Sequence, residues 1–269
     1  MGGASINKHE TGRVLPEERR RRIADLLQAT GSVTITQLES DFNISQMTAR
    51  RDLAILEREG RARRTHGGAV LPELAGHEDS FRQRVEQATD AKRALAGAAA
   101  DLVEPGESLF LDSSSTSFFV AQALRERGVG TSVVTNSLPI LDLLSGPEAQ
   151  NIDVISSGGS VRKLTLSCVG PHAVRTISNH FVDKCFLSVK GLTRNGHLVD
   201  PDLLEAEIKR TMVKQSDKPI LLVDVSKFDH KGLHSLGHVS DVALVLVAEA
   251  AEESLEWLEV SGVEVRRVS

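Results

Sequence analysis

The chain has 269 residues, 40% hydrophobic and 26% charged, a composition that supports about two folded domains and excludes a disordered chain. Aromatic content is 3% with no Tyr, which argues against a single-strand reader that stacks bases on rings. The net charge of −5 is unevenly spread: residues 1–70 hold 12 Lys and Arg against 9 Asp and Glu, and residues 71–269 hold 20 against 28. Cys168 and Cys185 are too few for a disulfide framework or a four-Cys zinc site, and they read as buried small side chains. The N-terminus lacks the apolar core of a signal peptide, and no apolar run reaches the ~20 residues of a membrane span, so a cytoplasmic location is expected. Neither a cofactor nor a metal is expected.

Residues 16–29 read as a helix, with Pro16 in the first turn, Glu17 and Glu18 at the positive dipole end, and Ile23, Leu26 and Leu27 on one face. Residues 36–42 read as a short second helix, and Asn43 and Ile44 as a turn. Ser45 then caps a third helix running to about Glu59 and ended by Gly60. Its core stripe is Ala49, Leu53 and Leu56, and its other face carries Met47, Arg50, Arg51, Ala54 and Arg58. Residues 61–70 read as a basic hairpin wing ending in a flexible Gly pair. Two helices joined by a tight turn, the second cationic, form the helix-turn-helix pattern, in which the second helix lies in the major groove. The expected DNA contacts are Ser45, Gln46, Met47, Thr48, Arg50, Arg51 and Arg58 from this helix, with Arg61, Arg63, Arg64 and His66 from the wing.

The run Ser45-Gln46-Met47-Thr48-Ala49-Arg50-Arg51-Asp52-Leu53, followed by Leu56-Glu57-Arg58-Glu59-Gly60 and Arg64-Thr65-His66-Gly67-Gly68-Ala69, resembles the DeoR-type family of bacterial transcriptional regulators. The family more often has a larger aliphatic residue where this chain has Ala49.

Residues 71–90 read as a linker, and a helix starts near Thr89 and Asp90. From there apolar runs at 108–112, 132–136, 152–156, 185–189, 220–224 and 242–247 alternate with helical stretches at 116–127, 138–144, 165–178 and 203–214. This predicts an α/β domain over residues 91–269 with a mostly parallel sheet, joined to a winged helix-turn-helix domain over residues 1–70. Ligands of such sheets bind beyond the strand C-termini. The residues there are Asp112, Ser113, Ser114, Ser115 and Thr116; Thr135, Asn136 and Ser137; Gly158 and Gly159; Lys190 and Gly191; and Asp224 and Lys227. Hydroxyls, backbone N–H groups and Lys suit a phosphate, and Asp and Asn suit sugar hydroxyls, so a phosphorylated sugar or polyol is the expected ligand. His230, His234 and His238 fall in a Gly-interrupted segment read as a loop, and Trp257 in a packing helix over 252–258.

The resemblance extends here through Leu111–Thr116, Val134–Ser137, Gly158-Gly159, Val169-Gly170, Glu205–Lys209 and Asp224–Phe228. The effector domain of these regulators is similar to ribose-5-phosphate isomerase. By that resemblance Ser113–Thr116 and Lys227 hold the phosphate, and Asp112, Asn136, Lys190 and Glu205 lie near the sugar. Lys190 stands where the isomerases, and many of the regulators, have Asp. An isomerase needs a carboxylate to move a proton beside the carbonyl, so Lys190 favours a binding role, with an anionic effector, Glu205 or Glu207 as its partner. The implied function is a sugar-phosphate-responsive regulator, a repressor of sugar or polyol metabolism genes, acting on double-stranded operator DNA as a homodimer or homotetramer. The alternatives are a sugar-phosphate isomerase or hydrolase with an appended DNA-binding module, and a DNA-binding protein with a vestigial pocket.

Overall fold

The computed structural model describes residues 16–30, 32–65, 67–70, 79–230, 232–249, 255, 258 and 261–268. The chain divides into two units, Met1–Gly76 and His77–Ser269. No helix among the described residues is long and apolar enough to cross a membrane.

The first unit contains α1 (Pro16–Thr30), β1 (Ser32–Thr34), α2 (Ile35–Phe42), α3 (Gln46–Arg58), β2 (Arg63–Thr65) and β3 (Gly68–Val70). Thr34 caps α2 through the N–H of Gln37, and Asn43 closes it in the left-handed region at φ 48°. Ile23, Leu27, Leu38, Leu53 and Leu56 are fully buried in one core, where each Leu or Ile contributes roughly 1.5–3 kcal/mol. The small Ala49 is also fully buried there. The strand β1, absent from the sequence reading, pairs with β3, which also pairs with β2. Gly68 is therefore no flexible tip: it lies in this sheet against the Val33 carbonyl, where a Cβ would collide.

The second unit begins with α4 (Phe81–Glu86) and α5 (Thr89–Asp101). There follow β4 (Ser108–Leu111), α6 (Ser115–Arg127), β5 (Thr131–Thr135), α7 (Leu138–Leu144), β6 (Ile152–Ser156), β7 (Ser160–Arg162), β8 (Ser167–Val169) and α8 (Pro171–Ser178). The chain continues through β9 (Val182–Leu187), β10 (Gly191–Leu192), β11 (His197–Asp200), α9 (Leu203–Lys214), β12 (Ser216–Asp224), β13 (His234–His238), β14 (Leu244–Ala248) and β15 (Glu264–Val268). Seven strands form one parallel sheet in the order β15-β14-β12-β9-β4-β5-β6. Period-2 alternation sends Leu109 and Leu111 into a core with α5, α6 and α7, and Phe110 into a second core with α8 and α9. The inner strands β4, β5, β9, β12 and β14 are largely buried on both faces, which is why they read as apolar runs, whereas the edge strands β6 and β15 are mostly exposed.

Three sequence expectations change. The stretch 71–90 is not all linker, because Phe81–Glu86 is helical with a Ser80–Gln83 capping box; residues 71–78 lie outside the described residues. Residues 165–178 are not one helix: Ser167–Val169 pairs with β7, and the helix starts only at Pro171, after Gly170 at φ 93°. His234–His238 is a strand rather than a loop, because its backbone pairs with β11. Trp257 lies outside the described residues, while Leu255 and Leu258 are buried.

Candidate functional site

In the first unit, Ser45 caps α3 by accepting the Thr48 N–H, and its hydroxyl also meets that of Thr48 at 3.0 Å. The stripe Ala49, Leu53 and Leu56 turns inward, which leaves Gln46, Met47, Arg50, Arg51 and Arg58 exposed. Met47 is 78% exposed, an unusual position for an apolar side chain and one suited to a partner surface. Arg50 and Arg51 make no ion pair among the described residues, so their charge is available to phosphates or base edges. Other cations in the basic clusters are engaged within the unit. Arg19 and Arg20 hold the buried Asp52 at 2.6 and 3.8 Å, Arg64 holds Glu57 at 2.7 Å, and Arg61 lies 4.0 Å from Glu59. The Arg63 side chain and His66 lie outside the described residues.

In the second unit the chain leaves β4 to build β5 and β6 on one side, then returns to build β9, β12, β14 and β15 on the other. Parallel sheets open a crevice outside the strand C-termini where the order reverses. A narrow cleft of about 60 Å3, open to solvent, lies there. Ser114, Ser115 and Thr116 enter it after β4, Ser188 and Lys190 after β9, and Lys227 after β12. Arg84, Gln87 and Lys92 close it from α4 and α5, with Asp79, Asp200 and Lys209 also on its wall.

A buried polar frame holds these loops. The Asp112 carboxylate accepts from the Ser114 N–H and hydroxyl at 3.1 and 2.5 Å, from the Ser117 hydroxyl at 2.6 Å, and from the Ser188 N–H at 3.3 Å. Lys209 ties Asp200, at 2.8 Å, to Asp112, at 3.5 Å, and donates to the Ser188 carbonyl. Burial pulls the Lys209 pKa down, but Asp200 and Asp112 more than offset this and hold it above the ordinary lysine value. Glu205 accepts hydroxyls from Ser113, Thr165 and Ser167 at 2.5–3.0 Å, with Arg162 at 3.9 Å.

The remaining cations repel one another. Lys92 donates to the carbonyls of Arg84 and Gln87. Burial first, then Lys227, lowers its pKa from 10.5 to about 8. Lys227 is also lowered, by burial and by Lys190, Arg84 and Lys209, against the opposing Asp224. Nε and Nη2 of Arg84 are buried without a hydrogen-bond partner. These cations share the cleft with the carboxylates of Asp79 and Asp200.

Comparison with known proteins decides the family. Residues 19–74 match the DeoR-like helix-turn-helix domain, and residues 87–249 match the DeoR C-terminal sensor domain. The chain belongs to the DeoR family of transcriptional regulators. The transcriptional regulator YulB of Bacillus subtilis is 32% identical to it over 95% of this chain and 98% of its own length. The glycerol-3-phosphate regulon repressor of Haemophilus influenzae is 31% identical over 89% of this chain and 92% of its own. The L-fucose operon activator of Escherichia coli is 30% identical over 86% of this chain and 94% of its own. These relatives are regulators, not enzymes. Among solved structures, ribose 5-phosphate isomerase A from Neisseria gonorrhoeae aligns with TM-score 0.38 and 18% identity over 52% of this chain and 53% of that one.

Within this DeoR-family chain, five sequence-derived effector residues line the cleft: Ser114, Ser115, Thr116, Lys190 and Lys227. Asp112, Ser113 and Glu205 lie beneath it, and their polar atoms are taken up by the frame, so they do not face the cleft. Glu205 is therefore no partner for Lys190. Thr135, Asn136 and Ser137 sit on the far side of β4 and stitch the scaffold: Thr135 donates to the Leu111 carbonyl, Asn136 to the Cys168 carbonyl, and Ser137 caps α7. Gly158 and Gly159 form the turn between β6 and β7. Gly191 packs against the His230 backbone, where a Cβ would clash. Asp224 caps the turn carrying Lys227 through the Ser226 N–H. Sequence reading missed Arg84, Lys92, Asp200 and Lys209. Lys92 and Lys209 do carry a signal, since each occupies an apolar helix stripe, with Leu95, Ala96 and Ala99 or with Ile208 and Met212.

Proposed function

We propose that this regulator binds operator DNA through α3 and the β2–β3 wing, and that a phosphorylated sugar or polyol in the sensor-domain cleft controls that binding. The observation that carries the reading is the cleft itself. It combines Lys92, Lys190, Lys227 and an unpartnered Arg84 with the hydroxyls of Ser115 and Thr116 at the start of α6, while the Ser114 hydroxyl is held by Asp112 and caps that helix. N–H groups of a helix start, hydroxyls and cations together are the donors a phosphate ester requires. The polar wall suits the rest of a polyol.

Repression of sugar or polyol genes is the preferred direction, supported by the regulon repressor among the relatives. The helix-turn-helix reads repeated half-sites, which supports a homodimer or homotetramer in the cytoplasm. Arg84 suggests the coupling: it lies on α4, the first described helix after the unit boundary at Gly76. An effector controls operator binding only through different affinity for the DNA-bound and free arrangements.

The test uses the full chain and the DNA upstream of its own gene, with affinity followed by fluorescence anisotropy at several salt concentrations. A panel of sugar and polyol phosphates is then added. At least one is expected to weaken the complex, and its unphosphorylated parent is not. If phosphate esters neither stabilise the protein against heat nor change DNA affinity, the effector reading fails.

A further inference from the structure

We infer that Met47 is a base reader: its side chain packs against the 5-methyl group of a thymine in the major groove of the operator, which therefore carries an A·T pair recognised through that methyl. The inference rests on the reading of α3 as the helix that enters the groove, and deepens it to one base and one chemical group.

Met47 is the most exposed large apolar side chain among the described residues, at 78%. The helix is held so that it stays there. Ser45 fixes the start of α3 by accepting the Thr48 N–H, and Ala49, Leu53 and Leu56 anchor the other side in the core. At about 100° per residue, Met47 points about 200° away from Ala49 and about 180° away from Leu56. Turning α3 far enough to bury Met47 would lift the fully buried Leu53 and Leu56 into water.

The cations around Met47 choose its partner. Arg50 and Arg51 follow at i+3 and i+4, so their side chains flank it, and both are exposed. Neither makes an ion pair among the described residues. An apolar protein surface set on Met47 would have to desolvate these charges, whereas a polyanion neutralises them. Inside the major groove the base edges offer ring nitrogens, carbonyl oxygens and amino groups, all polar, and a single apolar group, the thymine 5-methyl. An apolar side chain pressed on the polar edges would take their water and return no hydrogen bond. Against the methyl, both groups lose apolar surface to each other. The unbranched thioether chain of Met adapts its rotamers to that contact.

The test starts from a duplex selected out of a random pool by the full chain. Each thymine of that duplex is replaced in turn by deoxyuridine, which removes the methyl and nothing else, and affinity is read by fluorescence anisotropy at fixed salt. At least one replacement is expected to weaken binding about fourfold, the worth of one buried methyl group. In Met47→Gln that position should become indifferent to the methyl, and in Met47→Leu it should stay sensitive. Thermal melts of both variants control for folding, which an exposed side chain should not disturb. No sensitive thymine, or a methyl dependence that survives Met47→Gln, overturns the assignment. If Met47→Gln then also alters the sedimentation of the free chain, Met47 belongs to a contact between copies instead. Failure of the full chain to enrich any duplex over random DNA overturns the operator-binding reading on which the inference rests.

Discussion

Lys92 offers a quantitative test of the cleft, because its ammonium is buried beside other cations and its pKa falls from 10.5 to about 8. At 1.36 kcal/mol for each tenfold change in acidity, the charged form is penalised by about 3 kcal/mol. A bound phosphate dianion opposes that penalty, and full compensation returns the pKa to 10.5. Above about pH 8 the anion then binds together with a proton. From pH 7 to pH 9.5 the free protein's Lys92 goes from mostly charged to about 3% charged, while the bound form stays about 90% charged. Affinity should fall by about 30-fold over that range, equivalent to about 2 kcal/mol. A phosphate ester is already dianionic above about pH 7, so its own titration does not mask the effect. The sign for the empty protein is opposite: between about pH 8 and 10.5 the unfolded chain holds the proton more tightly, so the Lys92 contribution to stability rises with pH. The assay is calorimetric titration with glycerol 3-phosphate across this range in two buffers of different ionisation enthalpy, which also counts the protons taken up. Lys92→Met should lose the Lys92 step and bind at pH 7 about 300-fold more weakly than the parent, which is about tenfold more weakly than the parent binds at pH 9.5. An affinity that is flat with pH in the parent, or a slope unchanged in Lys92→Met, refutes the reasoning.

Three other outcomes follow from the geometry. Lys209→Met leaves the buried Asp200 and Asp112 without their cation, at a cost of about 3–5 kcal/mol seen as a lower unfolding midpoint. Adding Asp200→Asn should restore part of it, and an unchanged midpoint in the single variant would show the triad to be dispensable. Glu205→Gln weakens an acceptor shared by three hydroxyls and Arg162, and should cost about 1.5–3 kcal/mol in chemical denaturation with little effect on isolated DNA contacts. Arg51→Ala touches only an exposed charge on α3, so the melt should not move, whereas the log–log salt slope of DNA binding should become shallower by about one. A salt slope identical to the parent's would remove Arg51 from the phosphate contacts.

The helix-turn-helix is legible residue by residue because every signal in it is local. Ser45 caps, Asn43 turns, and Ala49, Leu53 and Leu56 fall on one helical stripe within a few residues of one another. The sheet is legible for a similar reason: strands buried on both faces read as uninterrupted apolar runs. Element ends are less so. The Ser167–Val169 strand and the His234–His238 strand exist because of partners distant in sequence, and their own side chains do not announce them.

The site divides along the same line. Sequence alone predicted that hydroxyls and lysines gather after parallel strands, and Ser114–Thr116, Lys190 and Lys227 do line one cleft. It also determined, through the uneven charge, that the positive module is the small one. Only the tertiary structure decided which loops meet. The strand order reverses between β4 and β9, so loops after β5 and β6 fall outside the cleft, while α4 and α5 bring Arg84 and Lys92 into it. It also decided which charges remain available. Asp112 and Glu205 face inward and are consumed by hydroxyls and lysine, as Arg19 and Arg20 are by Asp52. A charge counted along a chain has no partner until folding places one within a few ångströms, and burial then sets whether that charge holds the fold together or waits for a ligand.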